Sequence, residues 1–253
     1  QVEKFDRMGM GVTIHATGDA ANRQMIDAVA RVKEKHGELR ARHQLAHASL
    51  IHPDDYARIA ELDITVEFSP VVWFATDFVK AQVPQIGDER MSRWYPMRSV
   101  LENGGRIVLA SDGPLMWQEP FPRLEAAITR KAPDGSGEAL APSEGIDLPA
   151  AVKALTLDSA YLMNIEESVG SIQVGKRADL IVVDRNLFDI PVEEISSAKV
   201  LKTILDGDVV FDAGSDPTGE EAIEERYDVE LDFTGEHGHP CCEWHPAHVH
   251  RER

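Results

Sequence analysis

Cysteine is nearly missing from this chain: the two present, Cys241 and Cys242, are adjacent in its last stretch. Neighbouring residues staple no loop, so a disulfide-built secreted scaffold is excluded and a reducing, cytoplasmic compartment is favoured. Long apolar runs are missing as well. No stretch approaches the roughly 20 consecutive apolar residues of a bilayer span, so no membrane partner is expected. Basic charge is scarce, with 26 Lys and Arg against 44 Asp and Glu and a formal net charge of −18. That excess argues against nucleic acid or an anionic lipid surface as partner. No signal peptide stands at the start, and the first residue is Gln1 rather than Met, so the native N-terminus is taken to lie upstream. What is present is an ordinary globular composition, 43% hydrophobic and 28% charged, long enough for one large domain or two smaller ones.

The stretch RIVLASDGP, 106–114, anchors the rest. Residues 107–110 are small or β-branched and apolar, which predicts a short, fully buried strand. Ser111-Asp112-Gly113-Pro114 then forces a turn, with Asp112 left at the strand's C-terminal end. The same plan recurs upstream. A β-prone run at 11–14 ends at His15 and leads through a turn, with Asp19 as the expected N-cap, into an amphipathic helix over 20–35. A second strand at 42–46 ends at His47, and Pro53 suits the start of the next helix over 54–62. A third strand is predicted at 64–68, then a long loop over 71–90, a helix over 92–103, the anchoring strand, and a helix around 121–131. Strands alternating with helices at about 30 to 40 residues per unit argue for parallel βα units. A further helix is predicted over 148–163. Beyond it the pattern turns β-rich, with strands at 178–183, 200–205 and 209–211 and a hairpin signal at Asp206-Gly207. Residues 215–253 are acidic, turn-rich and His-rich, and are expected to pack poorly.

In a parallel barrel every strand delivers its C-terminal residue to one rim. His15, His47 and Asp112 would then converge, and two imidazoles with a carboxylate suit zinc or a similar divalent ion. Such an ion lowers the pKa of its water toward about 7, and a carboxylate beside it can take the nucleophile's proton and return it to the leaving group. Trp73, Phe74 and Trp117 fall in loops at the same rim, where they either line a substrate pocket or pack loop against loop. His43 begins its strand and belongs at the opposite end. His52 reads as a helix-start residue. In the tail, His237, His239, Cys241, Cys242 and His245 could bind metal adventitiously.

Four segments together carry a resemblance: HATGDAANR, RHQLAHASLIHPDD, ASDGPLMWQEPF and GSIQVGKRADLIVVD. They resemble the amidohydrolase superfamily, and within it the branch of the N-substituted formamide deformylases, amidohydrolase family 3. The resemblance runs over roughly residues 9–212. It implies an α/β fold, the C-terminal half of a TIM-type (β/α)8 barrel containing strands five to eight, plus part of a small β-sandwich. The implied domains are residues 1–165 for the partial barrel, 166–214 for the sandwich segment and 215–253 for the tail. By the same resemblance His15 and His47 are the metal histidines of strands five and six. Asp112 is then the aspartate of strand eight, both ligand and catalytic acid/base, with one or two divalent ions, zinc first, as cofactor. The implied function is hydrolysis of a non-peptide C–N bond of a small amide or formamide by metal-activated hydroxide. The family's His-x-His pair at strand one and its strand-four lysine have no counterpart ahead of His15. The only such spacings are His237/His239 and His248/His250, in the tail. The chain is therefore expected to work as a homo-oligomer or with a complementing N-terminal half. A non-catalytic fragment or assembly subunit with an incomplete metal site is the alternative.

Overall fold

The structure is a computed structural model that describes residues 1–69, 74–113 and 119–215. Residues 1–212 form one compact unit, and 213–253 are grouped apart from it. Helix α1 (Val2–Arg7) precedes strand β1 (Thr13–Ala16) and helix α2 (Asp19–His36). Strand β2 (Gln44–His47) leads through a 3-10 turn at Pro53–Asp55 into α3 (Tyr56–Glu61) and β3 (Thr65–Phe68). Then come α4 (Asp77–Ile86), α5 (Asp88–Met91), α6 (Met97–Glu102), β4 (Arg106–Leu109) and α7 (Pro120–Thr129). Helices α8 (Leu148–Leu155) and α9 (Leu157–Leu162) are followed by β5 (Leu180–Val183), β6 (Val200–Leu205) and β7 (Asp208–Asp212).

Strands β1 to β4 pair in chain order, all parallel, with Ala16 opposite His47 and Phe68 opposite Leu109. This is the α/β arrangement that the alternating pattern demands, and it brings all four C-terminal ends to one edge of the sheet. The two inner strands are buried on both faces, as parallel strands under helices must be. Leu45, Val66, Phe68 and Ile107 are wholly enclosed, each contributing about 1.5–3 kcal/mol on burial. Met25, Ile26, Val29 and Val32 form the inward stripe of α2. Among the described residues β1 and β4 are edge strands. Strands β5, β6 and β7 form a separate antiparallel meander. Its β6–β7 turn puts Asp206 and Gly207 at φ 54 and 92, the double left-handed conformation that the Asp-Gly pair favours.

Four details depart from the sequence expectation. The helix expected over 92–103 begins only at Met97, after Tyr95 at φ 53 and Pro96 as N-cap. The stretch expected as a loop over 71–90 holds α4 and most of α5. The α4 start is set by Thr76, whose hydroxyl accepts the Val79 amide at 3.2 Å, a cap that is hard to weigh in a segment with Pro84 inside it. The single helix expected over 148–163 breaks at Thr156, at φ −118 and ψ −87. Asp19 is the first helical residue rather than the N-cap, which is Gly18. Its carboxylate accepts the Ala20 amide at 2.9 Å and pairs with Arg90 at 2.8 Å.

Candidate functional site

The common edge of the sheet opens into a cavity of about 570 Å³. His15, from β1, and His47, the last residue of β2, both line it, and so does Asp112, three residues past β4. The imidazole rings of His15 and His47 lie 4.4 Å apart between centres, their planes at 49°. Backbone geometry is unusual here. His47, Ala48 and Asp112 have φ of 69, 28 and 51, and Tyr95, on the cavity wall, has φ 53. Non-glycine residues in the left-handed region cost about 1–3 kcal/mol each and persist where surrounding structure holds them. Here His47, Ala48 and Asp112 turn the chain at the strand exits, and Tyr95 turns it between α5 and α6.

Around the histidines lie groups the sequence does not advertise. Glu67, in the buried centre of β3, accepts the Ser69 hydroxyl at 2.5 Å and the His47 amide at 3.3 Å. Ser69 Oγ also lies 3.4 Å from His47 Nδ1. Tyr95 is buried, its amide held by the Ser49 carbonyl at 2.8 Å. Burial pushes its hydroxyl above the ordinary tyrosine range, with the carboxylates of Glu67 and Asp112 adding to the effect against a Ser49 hydrogen bond. Behind this wall Arg130 is fully buried and donates to the carbonyls of Trp94 at 2.7 Å and Leu140 at 3.0 Å, fixing the segment that carries Trp94 and Tyr95. Burial pulls its guanidinium down to about 9, so it stays charged at neutral pH. Phe78, Gln82, Ile86 and Arg90, from α4 and α5, also line the cavity. In the sequence Glu67 shows only as the charged member of a strand that alternates β-branched and polar residues, and Tyr95 and the α4 residues leave no signal.

Two imidazoles and a carboxylate are the donor chemistry of a borderline divalent ion, and on that ground His15, His47 and Asp112 fit one. The arrangement closes up the two imidazoles. Among the described residues no group of three or more His, Cys, Asp and Glu is arranged to hold an ion as it stands. Phe74 is half-buried and packs against the core, and it is not among the residues lining the cavity. Trp73, Trp117 and the tail residues His237, His239, Cys241, Cys242 and His245 lie outside the described residues. His43 sits at the opposite end of β2, buried, accepting the Val12 amide on Nδ1 at 3.3 Å with Nε2 3.3 Å from Asp6. His52 caps the turn at Pro53–Asp55, its ring accepting the Asp54 amide at 3.3 Å.

The sequence profile of the amidohydrolase family matches residues 2–211. The chain is 29% identical over 204 residues to the N-substituted formamide deformylase of Arthrobacter pascens, covering 81% of this chain and 37% of that protein. It is 27% identical over 213 residues to YtcJ of Bacillus subtilis (strain 168), covering 83% and 39%. Among solved structures it superposes on an uncharacterized metal-dependent hydrolase from Pyrococcus horikoshii OT3 with a TM-score of 0.63, at 24% identity, over 76% of this chain and 37% of that one. The chain thus spans less than two-fifths of the length of these relatives.

Proposed function

Since the chain belongs to the amidohydrolase family, we propose that it carries part of the active site of a metal-dependent hydrolase. The substrate would be a small amide or formamide, cleaved at a non-peptide C–N bond. The observation that carries this reading is the contact of the His15 and His47 rings in a cavity that Asp112 also lines. His15 and His47 would hold a divalent ion, zinc first, with Asp112 as further ligand. When bound, such an ion supplies a Lewis acid and a water acidic enough to attack at neutral pH. Asp112 takes the proton of the attacking water and returns it to the departing nitrogen. Phe78, Ile86 and Trp94 give the substrate an apolar wall, and Gln82 and Arg90 a polar one.

In this reading β1 to β4 are strands five to eight of a TIM-type (β/α)8 barrel, and β5 to β7 close a small β-sandwich. Residues 1–165, 166–214 and 215–253 are then barrel, sandwich and tail. Two features support it: the unpaired edges of β1 and β4 among the described residues, and the exposed apolar side chains of the small sheet, Ile181, Leu205, Val209 and Val210. Both ask for cover from more polypeptide, in a complementing N-terminal half or a second copy.

The alternative, a non-catalytic subunit, is favoured by one observation: the described residues assemble two close donors and not three. One experiment separates the two. Zinc per chain is measured by elemental analysis for the chain, His15→Ala, His47→Ala and Asp112→Asn, alone and mixed with an N-terminal half taken from a relative, alongside hydrolysis of an N-substituted formamide. The proposal expects zinc that is lost in both histidine variants, and turnover in the mixture that Asp112→Asn abolishes. Zinc content indifferent to both histidines would overturn it.

A further inference from the structure

We propose that Glu67, acting through Ser69, fixes the His47 imidazole in its Nδ1–H tautomer and so reserves the Nε2 lone pair as this ring's donor. The inference deepens the reading of His47 as a ligand and rests on it. A serine hydroxyl has one proton to give. Ser69 Oγ lies 2.5 Å from Glu67 Oε1 and 3.4 Å from His47 Nδ1. The carboxylate can only accept, and the shorter contact takes the proton. The lone pairs of Ser69 Oγ are then what faces Nδ1. Lone pair against lone pair repels, so Nδ1 carries the ring's proton and donates it.

Glu67 also grips the other side of the same residue. Its Oε2 accepts the His47 amide at 3.3 Å, so one carboxylate holds both backbone and ring where the chain turns at φ 69. The group is 7% exposed and Ser69 1%, and among the described residues Glu67 makes no ion pair with Lys or Arg. A buried carboxylate without a cation is costly to keep in a strand core. Orienting a metal-directed histidine through its second nitrogen is a recurrent use of such a group. Glu67 and Ser69 are therefore positioning residues, acting through His47.

The test is the tautomer itself. The chain is labelled with 15N in its imidazoles, stripped of metal with a chelator, and observed by long-range 1H–15N correlation at about pH 8. The His47 signals are assigned from their loss in His47→Gln. We expect the Nδ1–H form in the unaltered chain. Ser69→Ala removes the acceptor and shifts the ring toward Nε2–H. Glu67→Leu frees the Ser69 proton to point at Nδ1 and shifts it the same way, and Ser69→Thr restores Nδ1–H. Zinc affinity, measured by competition with a chromophoric chelator, falls about 10–100-fold in Ser69→Ala and recovers in Ser69→Thr. An Nε2–H ring in the unaltered chain overturns the proposal, as does an Nδ1–H ring indifferent to Ser69→Ala. If Ser69→Ala or Glu67→Leu fails to fold, the unaltered chain and Ser69→Thr decide. Zinc binding that ignores His47→Gln overturns the functional reading instead, and the tautomer still decides this one.

Discussion

Tyr161, on α9, sits between two arginines. The guanidinium of Arg42 is 3.5 Å from the ring centre and that of Arg106 is 3.6 Å, while the hydroxyl donates to Asp63. Arg42 leads into β2 and Arg106 opens β4, so the sandwich ties α9 to the end of the sheet remote from the cavity. The arginines are anchored in turn, Arg42 on Glu166 at 2.5 Å and Arg106 on Asp158 at 2.8 Å. A cation–π contact is worth about 0.5–1 kcal/mol when exposed and about 2 when desolvated. With side chains 24% and 28% exposed, each contact is taken as about 1 kcal/mol. The hydroxyl's hydrogen bond adds about 1 kcal/mol. Tyr161→Leu should therefore destabilise the chain by about 3 kcal/mol. Tyr161→Phe, which keeps the ring, should cost about 1. Urea unfolding followed by circular dichroism measures both, with an unchanged m-value confirming that the folded and unfolded states are otherwise alike. A Leu variant within about 0.5 kcal/mol of the unaltered chain, or a Phe variant as damaged as the Leu one, would refute the stacking account.

Two further outcomes follow from the same scaffold. Burial holds the His43 imidazole below the usual histidine range, against the pull of Asp6. The unfolded chain therefore binds this proton first. His43's contribution is complete above the unfolded histidine pKa, near about 6.5, and is lost as pH falls through the lower folded value. Urea midpoints between about pH 8 and 5 should decline with acidification, and His43→Gln should flatten that decline. Gly170 has φ 86, and a Cβ there would meet Ala160 Cβ at 2.7 Å and the Leu157 backbone at 3.1 Å. Gly170→Ala should cost about 2–4 kcal/mol, from the left-handed conformation and overpacking together, read as a lower thermal midpoint. A loss below about 0.5 kcal/mol would show that the turn can move.

The strands were legible because parallel strands buried under helices leave a strong trace: short, β-branched, apolar runs that stop at turn residues. Ile107, Val108 and Leu109 illustrate it, and so does the Asp206-Gly207 hairpin. Helix α4 was not legible, because Pro84 and the aromatic-rich approach to it mimic a loop, and the Thr76 cap shows only once the chain is folded. The break at Thr156 was hidden for the opposite reason: apolar periodicity continues across it, so the pattern reports a shared buried face and not backbone continuity. At the site, strand ends located His15, His47 and Asp112 on one cavity. The walls contributed by Tyr95, Phe78 and Ile86 come from segments whose place in space no local pattern encodes.

The division between core and site along each strand has a single physical origin. Inside the sheet, Leu45, Val66 and Ile107 have no exposure, and a polar group there must bring its partners along. At the last paired residue and beyond it that demand relaxes, and the chain can hold a histidine or an aspartate in a left-handed turn, because the sheet beneath supplies the rigidity that the turn itself lacks. His47 and Asp112 take that form, at φ 69 and 51. Glu67 breaks the division, since it is charged, buried and inside the sheet. It is tolerable there because its two oxygens are taken by the Ser69 hydroxyl and the His47 amide. A polar residue that belongs to the core by position and to the site by its partners is where sequence pattern and chemistry disagree most. For that reason the His47 tautomer, rather than the strand pattern, is the sharper measure of whether Glu67 and Ser69 orient this ring.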